Sequence, residues 1–437
     1  MAARPVDTST MAPRHGRLRR RNGPAHVFRW VALGMAVVLA AVVGVVGVSV
    51  LRLTTSIQSV DLGGPPPPAQ AGFAPYEGGF TMLLVGSDER SGQGAEFGEA
   101  EYGEGRLNDV TMLLHVNDDH SRASVVSFPR DMIVDFPACT DADTGTTSPA
   151  ARGVQFNQAL GRGGLGCVVK VVESLTGLPV PYAASITFQG VISMSTAVGG
   201  VPVCFAGPID DPWTGLEIPE AGTYELEGEQ ALQFLRSRHG VGDGSDLARI
   251  SSQQVFLSSL VRTLQSDAVL TDVTRLYAIA QVATQNMQLS SGLAELGTMV
   301  SMARVLADIP LETMQFVMYP NVPQGNRVAP DEERADELMR RIRLDLPIEL
   351  GEDSLGAGST AETPAPVGPG ATAGPTATPA PTGSPADPPS SEPASTDPGT
   401  TDAPSTTGAP AATPTPSLDG IIGQDAAQES CVVPFGG

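Results

Sequence analysis

Four short clusters in the 437-residue chain hold side chains suited to phosphate chemistry. The first, Gly86-Ser87-Asp88-Glu89-Arg90, follows an apolar run, and the second, Arg106-Leu107-Asn108-Asp109, precedes another. If those runs are neighbouring strands, Asp88 and Asp109 meet at one sheet edge. A carboxylate pair suits a hard cation such as Mg²⁺, which binds through one or two carboxylates plus substrate phosphates. Locally, two loop-capping aspartates read the same way. The third cluster, Ser127-Phe128-Pro129-Arg130-Asp131, fixes an arginine after a proline. A guanidinium grips phosphate through paired N–H donors. A structural Arg130–Asp131 pair is the alternative, and both hold if Asp131 orients Arg130. The fourth cluster is Arg236-Ser237-Arg238, followed by Asp243, Asp246, Arg249, Gln253 and Gln254. Arg249 and Gln253, four apart, share one helix face.

Together these bring two carboxylates and at least four arginines toward one site. That is equipment for binding and cleaving a pyrophosphate, a reaction that depends on positioning and charge neutralisation. No Walker A loop is present, which argues against nucleotide hydrolysis, and no GxSxG elbow accompanies the five histidines.

The clusters need elements to hold them. Apolar, β-branched runs predict strands over 80–85, 110–116, 123–128 and 132–136, then 183–188, 201–205 and 314–318. Helices are predicted over 165–175, 227–235, 246–264, 293–306 and 331–343. In 246–264, Ile250, Leu257, Val261 and Leu264 recur at helical spacing. The alternation predicts an α/β fold, a three-layer α/β/α domain with a central mixed sheet. Strand ends are where such folds place ligands.

The flanks are different. Residues 31–51 run for 21 positions without a charge, enough to cross a ~30 Å hydrocarbon core. Seven arginines precede them, so the first 30 residues are expected in the cytoplasm and the rest outside. The apolar run is longer than a typical signal-peptide core, so an uncut anchor is expected rather than a cleaved leader. Residues 52–79, with four consecutive prolines, read as a stalk, and 80–350 as the catalytic domain. Residues 351–418, rich in Pro, Thr, Ser, Ala and Gly, read as a disordered linker, with a short tail over 419–437. The net charge of −22 argues against nucleic acid as a partner. Cys139, Cys167, Cys204 and Cys431 all lie beyond the apolar run, where disulfides persist. Three connectivities are open; Cys139–Cys167 with Cys204–Cys431 is the one favoured.

The motifs LLVGSDER, RLNDVTMLL, VVSFPRDM, FNQALGRGG, AVGGVPV and EGEQALQFLRSRHG with DLARISSQQ occur in that order over 80–264. In this the chain resembles the LytR-CpsA-Psr family. The resemblance implies a membrane-anchored, extracytoplasmic phosphotransferase. It would move a glycopolymer from a polyprenyl-pyrophosphate carrier to peptidoglycan, as a phosphodiester on a muramyl hydroxyl, with Mg²⁺ or Mn²⁺ and an apolar pocket for the lipid. By the same resemblance, Asp88 and Asp109 match the metal-linked aspartates. Arg130, Arg236, Arg238, Arg249 and Gln253 match the pyrophosphate ligands. Arg90, Arg106, Asp131 and Asp246 are further candidates. Two departures stand out. Arg106 sits one residue further from its aspartate than the family's Arg-Ser-Asp, and Ser252 replaces an arginine before Gln253, with Arg262 the candidate substitute. The same residues also suit a polyprenyl-pyrophosphate hydrolase, and the Pro/Thr-rich linker suits a non-catalytic wall tether.

Overall fold

The computed structural model describes residues 58–64, 67, 74–88, 106–266, 269, 272–351, 353–361 and 418–436. The predicted span, most of the linker and Arg90 lie outside the described residues. Among the described residues, no helix is long and apolar enough to cross a membrane.

An eight-stranded mixed sheet organises the domain. Its strands, in chain order, are β1 (Gln58–Val60), β2 (Phe80–Ser87), β3 (Asn108–Val116), β4 (Ala123–Ser127), β5 (Tyr182–Ile186), β6 (Met287–Ser290), β7 (Met314–Met318) and β8 (Gly423–Asp425). Across the sheet they run β1-β6-β5-β2-β3-β4-β7-β8. Pairings β1·β6, β2·β5 and β4·β7 are parallel and the others antiparallel.

Seven helices are described: α1 (Ala159–Thr176), α2 (Phe188–Val198), α3 (Gly228–Arg236), α4 (Asp246–Leu264), α5 (Val273–Asn286), α6 (Leu296–Asp308) and α7 (Glu332–Arg343). Side-chain alternation along the strands decides which helices cover which face. Leu83, Val85, Leu113, Val126 and Val317 join α1 and α7 in one core, through Val168, Val172, Leu338 and Ile342. Met82, Leu84, Leu114, Val125 and Phe316 join α4 and α6 in another, through Leu257, Val261, Met302 and Val305. Helices therefore cover both faces. A four-stranded sheet of 222–226, 201–205, 431–432 and 359–360 packs as a third core.

The predicted elements recur with shifted ends. α1 starts at Ala159 rather than at 165 and is broken at Gly163 and Gly164, whose backbones are non-helical. A β-carbon on Gly163 would lie 2.8 Å from Cys139 Cβ, so glycine admits the disulfide strand there. The strand predicted over 183–188 stops at Ile186, because Thr187 caps α2 with its side chain on the Gly190 N–H.

Domain limits also shift. Part of the expected stalk is built into the fold: β1 joins the sheet edge, and the Tyr76 hydroxyl donates to that of Tyr182 at 3.0 Å. Part of the expected linker does the same, since Ser359–Thr360 pairs with Cys431–Val432. The tail supplies β8 on the edge of β7. Both favoured disulfides are formed, Cys139–Cys167 and Cys204–Cys431.

Candidate active site

β2 and β3 are antiparallel neighbours, and their register slips by one residue at the site: Gly86 opposes Val110 while Ser87 opposes Asn108. Asp109 is the extra residue of this bulge, a device that re-aims a side chain at a strand end. Asn108 is fully buried and accepts from the Leu160 N–H at 3.1 Å, which ties the strand to the start of α1. Asp88 closes the β2–β3 end: its N–H donates to the Leu107 carbonyl at 3.2 Å, and its Oδ1 accepts from the Leu107 N–H at 3.1 Å.

Arg130 follows β4 and turns toward the bulge, donating from Nη1 to Asp109 Oδ1 at 2.6 Å. Its Nε lies 3.4 Å from Asp246 Oδ1 and 3.9 Å from Asp131 Oδ2. Asp246 opens α4 in the first turn after the Ser245 cap and is buried. Arg249, one turn later, has Nη2 2.7 Å from Asp246 Oδ1 and donates to the Asp109 main-chain carbonyl at 3.0 Å. Arg238 reaches both Asp131 (3.7 Å) and Asp246 (3.9 Å). Arg327 donates to Asp131 Oδ1 at 3.3 Å.

Four guanidinium groups thus face three carboxylates. Burial works against the charge on Arg130, but Asp109, Asp246 and Asp131 outweigh it and raise its pKa. Arg249 is only 4% exposed, and burial lowers its pKa, with Arg130 and Arg238 adding to the effect against Asp246 and Asp109. Its charge is incompletely compensated. The buried Nε atoms of Arg130, Arg238 and Arg249 have no hydrogen-bond partner, and neither has either oxygen of Asp246. The close Asp246 contacts are therefore charge pairs without hydrogen-bond alignment. Unpaired buried donors are costly, and three of them on one cluster are suited to an anion.

Beside the cluster lies a cavity of about 270 Å³ between the sheet, α2, α3 and α4. Its wall is mainly apolar, with Leu84, Ile186, Val191, Leu232 and Phe256 among it; its polar lining includes Asp109, Arg236, Arg249 and Gln253. Arg236 lies over the Phe188 ring at 4.6 Å. Gln253 donates from Nε2 to the Leu235 carbonyl at 2.7 Å, which holds the end of α3 against α4.

The structure thus brings Asp109, Arg130, Asp131, Arg238, Asp246 and Arg249 into one network and puts Arg236 and Gln253 on the adjoining cavity. It does not bring Arg106, whose Nη2 is paired with Asp141 at 2.7 Å in the loop beside the Cys139–Cys167 disulfide. Nor does it bring Arg262, which donates to the Ala426 carbonyl at 2.7 Å and so holds the C-terminal tail. Arg262 therefore does not substitute for the arginine that Ser252 replaces. Arg327 was missed by sequence reasoning. It sits on a hairpin of Asn321–Gln324 and Arg327–Pro330, which docks where Val328 bridges to Met132. The one local signal was an arginine after a Gly-Asn turn in an acidic chain.

A divalent cation is compatible with these residues. Among the described residues no group of three or more His, Cys, Asp or Glu is able to hold a metal alone. Asp88 and Asp109 would be the carboxylates to hold it, since one or two suffice when substrate phosphates complete the shell.

The model of the LytR_cpsA_psr family matches residues 64–342, more than half of the chain. The chain is similar to the cell wall biosynthesis protein LcpA of Corynebacterium glutamicum. That match is 33% identical over 242 residues, 49% of this chain and 46% of that protein, so it spans about half of that relative's length. It is also similar to the polyisoprenyl-teichoic acid–peptidoglycan teichoic acid transferase TagT of Bacillus subtilis, 25% identical over 281 residues, 63% of this chain and 79% of that protein. With the motif order and this match together, the chain belongs to the LytR-CpsA-Psr family.

Proposed function

We propose that the protein is a membrane-anchored phosphotransferase that moves a glycopolymer from a polyprenyl-pyrophosphate carrier onto a muramyl hydroxyl of peptidoglycan. The observation that carries this reading is the join between two environments. Arg249 belongs both to a cluster with three unpaired guanidinium Nε atoms and to the wall of an apolar cavity. A ligand that satisfies both has an anionic head and a greasy tail. At about 270 Å³ the cavity holds only part of a long prenyl chain, since whole drug-sized ligands fill roughly 300–1,000 Å³.

In this reading Arg130, Arg238 and Arg249 bind pyrophosphate oxygens, and Arg236 closes the cavity side. Asp131 and Asp246 position the arginines and limit their mutual repulsion. The acceptor hydroxyl attacks the sugar-proximal phosphorus. A phosphorus–oxygen bond forms to the acceptor, the bond to the distal phosphate breaks, and polyprenyl phosphate leaves with the electron pair. The acceptor proton passes to Asp88 or Asp109. A Mg²⁺ or Mn²⁺ ion bound at those two carboxylates would neutralise developing phosphate charge. The span over 31–51 anchors the chain, with the catalytic domain outside the membrane.

The test is release of polyprenyl phosphate from a polyprenyl-pyrophosphate sugar by the full-length chain, with and without Mg²⁺ and peptidoglycan. Transfer predicts release that requires peptidoglycan and falls by at least about 10²-fold in Arg130→Ala. Release without an acceptor would mean hydrolysis. Absence of release despite bound lipid would favour a tether.

A further inference from the structure

Arg236 ends α3, and the segment joining α3 to α4 carries Arg238 and, next in sequence, His239. One buried carboxylate bolts a hairpin (Ile209–Asp211 and Leu216–Ile218) to it. Asp211 Oδ2 accepts from the Ser237 hydroxyl at 2.6 Å, and Oδ1 accepts from the Trp213 main-chain N–H at 3.0 Å. Asp211 and Ser237 are both fully buried. Gly240 permits the approach, because a β-carbon there would lie 2.8 Å from Ile209 Cγ2 and 3.0 Å from Asp211 Cβ. The Asp211 carbonyl closes the turn by accepting from the Thr214 and Gly215 N–H groups at 3.2 and 2.8 Å.

This mount displays Trp213, which is 77% exposed. Its ring centroid lies 5.6 Å from that of His239, with the planes tilted by 35°. A large apolar ring in water is unfavourable, and here it is held out by a turn whose backbone is hydrogen-bonded to Asp211. The hairpin itself is acidic. Asp210 and Glu217 oppose each other in it, and along the sequence no Lys or Arg occurs from 163 to 235 except Lys170, with Arg236 and Arg238 following on the segment it is bolted to. Anionic membrane surfaces attract basic segments, so this rim disfavours a bilayer. It equally disfavours a polyphosphate chain. A flat aromatic face bordered by hydrogen-bond acceptors suits hydroxyl-rich rings without negative charge.

We propose that Trp213 and His239 form a sugar-binding subsite for a phosphate-free glycan, mounted by Asp211 on the segment that carries Arg236 and Arg238. The subsite rests on the lipid-pyrophosphate reading above and narrows its substrate class. It selects neutral or amino-sugar chains over glycerol-phosphate polymers.

Trp30 is the only other tryptophan, so the full-length Trp30→Phe chain in detergent reports on Trp213 alone. The probes are oligosaccharides of a hexose, a pentose and an N-acetylhexosamine, a glycerol-phosphate oligomer, and vesicles of anionic phospholipid. The expected result is a blue-shifted, saturable emission change with at least one oligosaccharide and none with the glycerol-phosphate oligomer. Trp213→Ala should lower kcat/KM for a glycan-bearing lipid by about tenfold, with Trp213→Phe in between. Binding of geranylgeranyl pyrophosphate, which has no sugar, should be unchanged in both. No shift with any oligosaccharide, an equal shift with the glycerol-phosphate oligomer, or a shift only with vesicles overturns the subsite. Failure of the wild-type chain to bind geranylgeranyl pyrophosphate overturns the phosphate-site reading instead, and is scored separately.

Discussion

Arg249 donates from Nη2 to the main-chain carbonyl of Asp109 at 3.0 Å, a hydrogen bond that joins residues 140 apart in sequence. It couples the buried start of α4 to the bulge that aims a candidate metal ligand. The same guanidinium is 2.7 Å from Asp246 and lines the apolar cavity. One side chain thus joins the strand end, the arginine cluster and the wall of the apolar cavity.

Arg249→Lys tests that coupling. Both contacts are made by Nη2 alone; lysine keeps the charge, but its ammonium ends one bond short of that atom's position and cannot meet Asp246 and the Asp109 carbonyl together. The expected loss is about 1–2 kcal/mol of stability, with weaker binding of geranylgeranyl pyrophosphate. Thermal unfolding with and without that ligand measures both. An unchanged ligand-induced shift would remove Arg249 from the binding site.

Val191 lines the cavity and is not part of the arginine network. Val191→Trp fills the cavity that the proposed prenyl chain would enter. Affinity for geranylgeranyl pyrophosphate should drop at least about tenfold, while inorganic pyrophosphate binds as before. Calorimetric titration of both ligands decides whether the cavity holds the chain. Equal loss for the two would indicate a distorted phosphate site.

The C-terminal tail is structural rather than an appendage. Gln424 donates from Nε2 to Ser258 Oγ at 2.7 Å and to the Gln254 carbonyl at 3.1 Å, and Ser430 Oγ donates to Gln424 Oε1 at 2.7 Å. Truncation after residue 361 strips β7 of its partner β8 and leaves buried polar groups on α4 unpaired, so it should abolish cooperative unfolding. The double variant Cys204→Ser/Cys431→Ser keeps the backbone pairing and should fold, with a loss of about 2–5 kcal/mol from opening a 227-residue link. Circular dichroism melts separate the two. A truncated chain as stable as the whole would make the tail dispensable.

His115 gives the fold a pH dependence. Burial holds its imidazole below the usual range, with Asp345, 3.4 Å away, opposing the shift. The unfolded chain therefore binds this proton first, so stability is full above about pH 6.5 and declines as pH falls toward the folded value. His115→Gln should flatten part of that decline between about pH 7 and 5 in unfolding titrations. A slope unchanged by the substitution would assign the dependence to other groups.

Much of the site was legible because its parts sit at strand and helix ends, where local pattern is informative. Apolar runs located β2, β3 and β4, and the polar residues at their ends had to cluster if those strands were neighbours. The helical repeat through Ile250, Leu257 and Val261 put Arg249 and Gln253 on one face of α4. Cysteine placement beyond the apolar run made disulfides the natural outcome, and the favoured pairing is the one formed.

Other features depend on which distant segments meet, and local sequence carries no signal for that. The slip that makes Asp109 the bulged residue is a property of the β2–β3 register. Asp246 reads as an ordinary helix-start acid until folding surrounds it with Arg130, Arg238 and Arg249. Arg327 enters only through a hairpin docked nearly 200 residues from its partner Asp131. α2 and α5 were not predicted; in a folded chain such helices owe their stability to packing rather than to propensity. The favoured Cys204–Cys431 pair ties the tail to the domain in sequence, but that its backbone N–H and C=O groups complete two sheets does not follow from the cysteine. Side-chain chemistry and local period are written along the chain; strand partners, bulge register and charge neighbourhoods are decided by contacts across it.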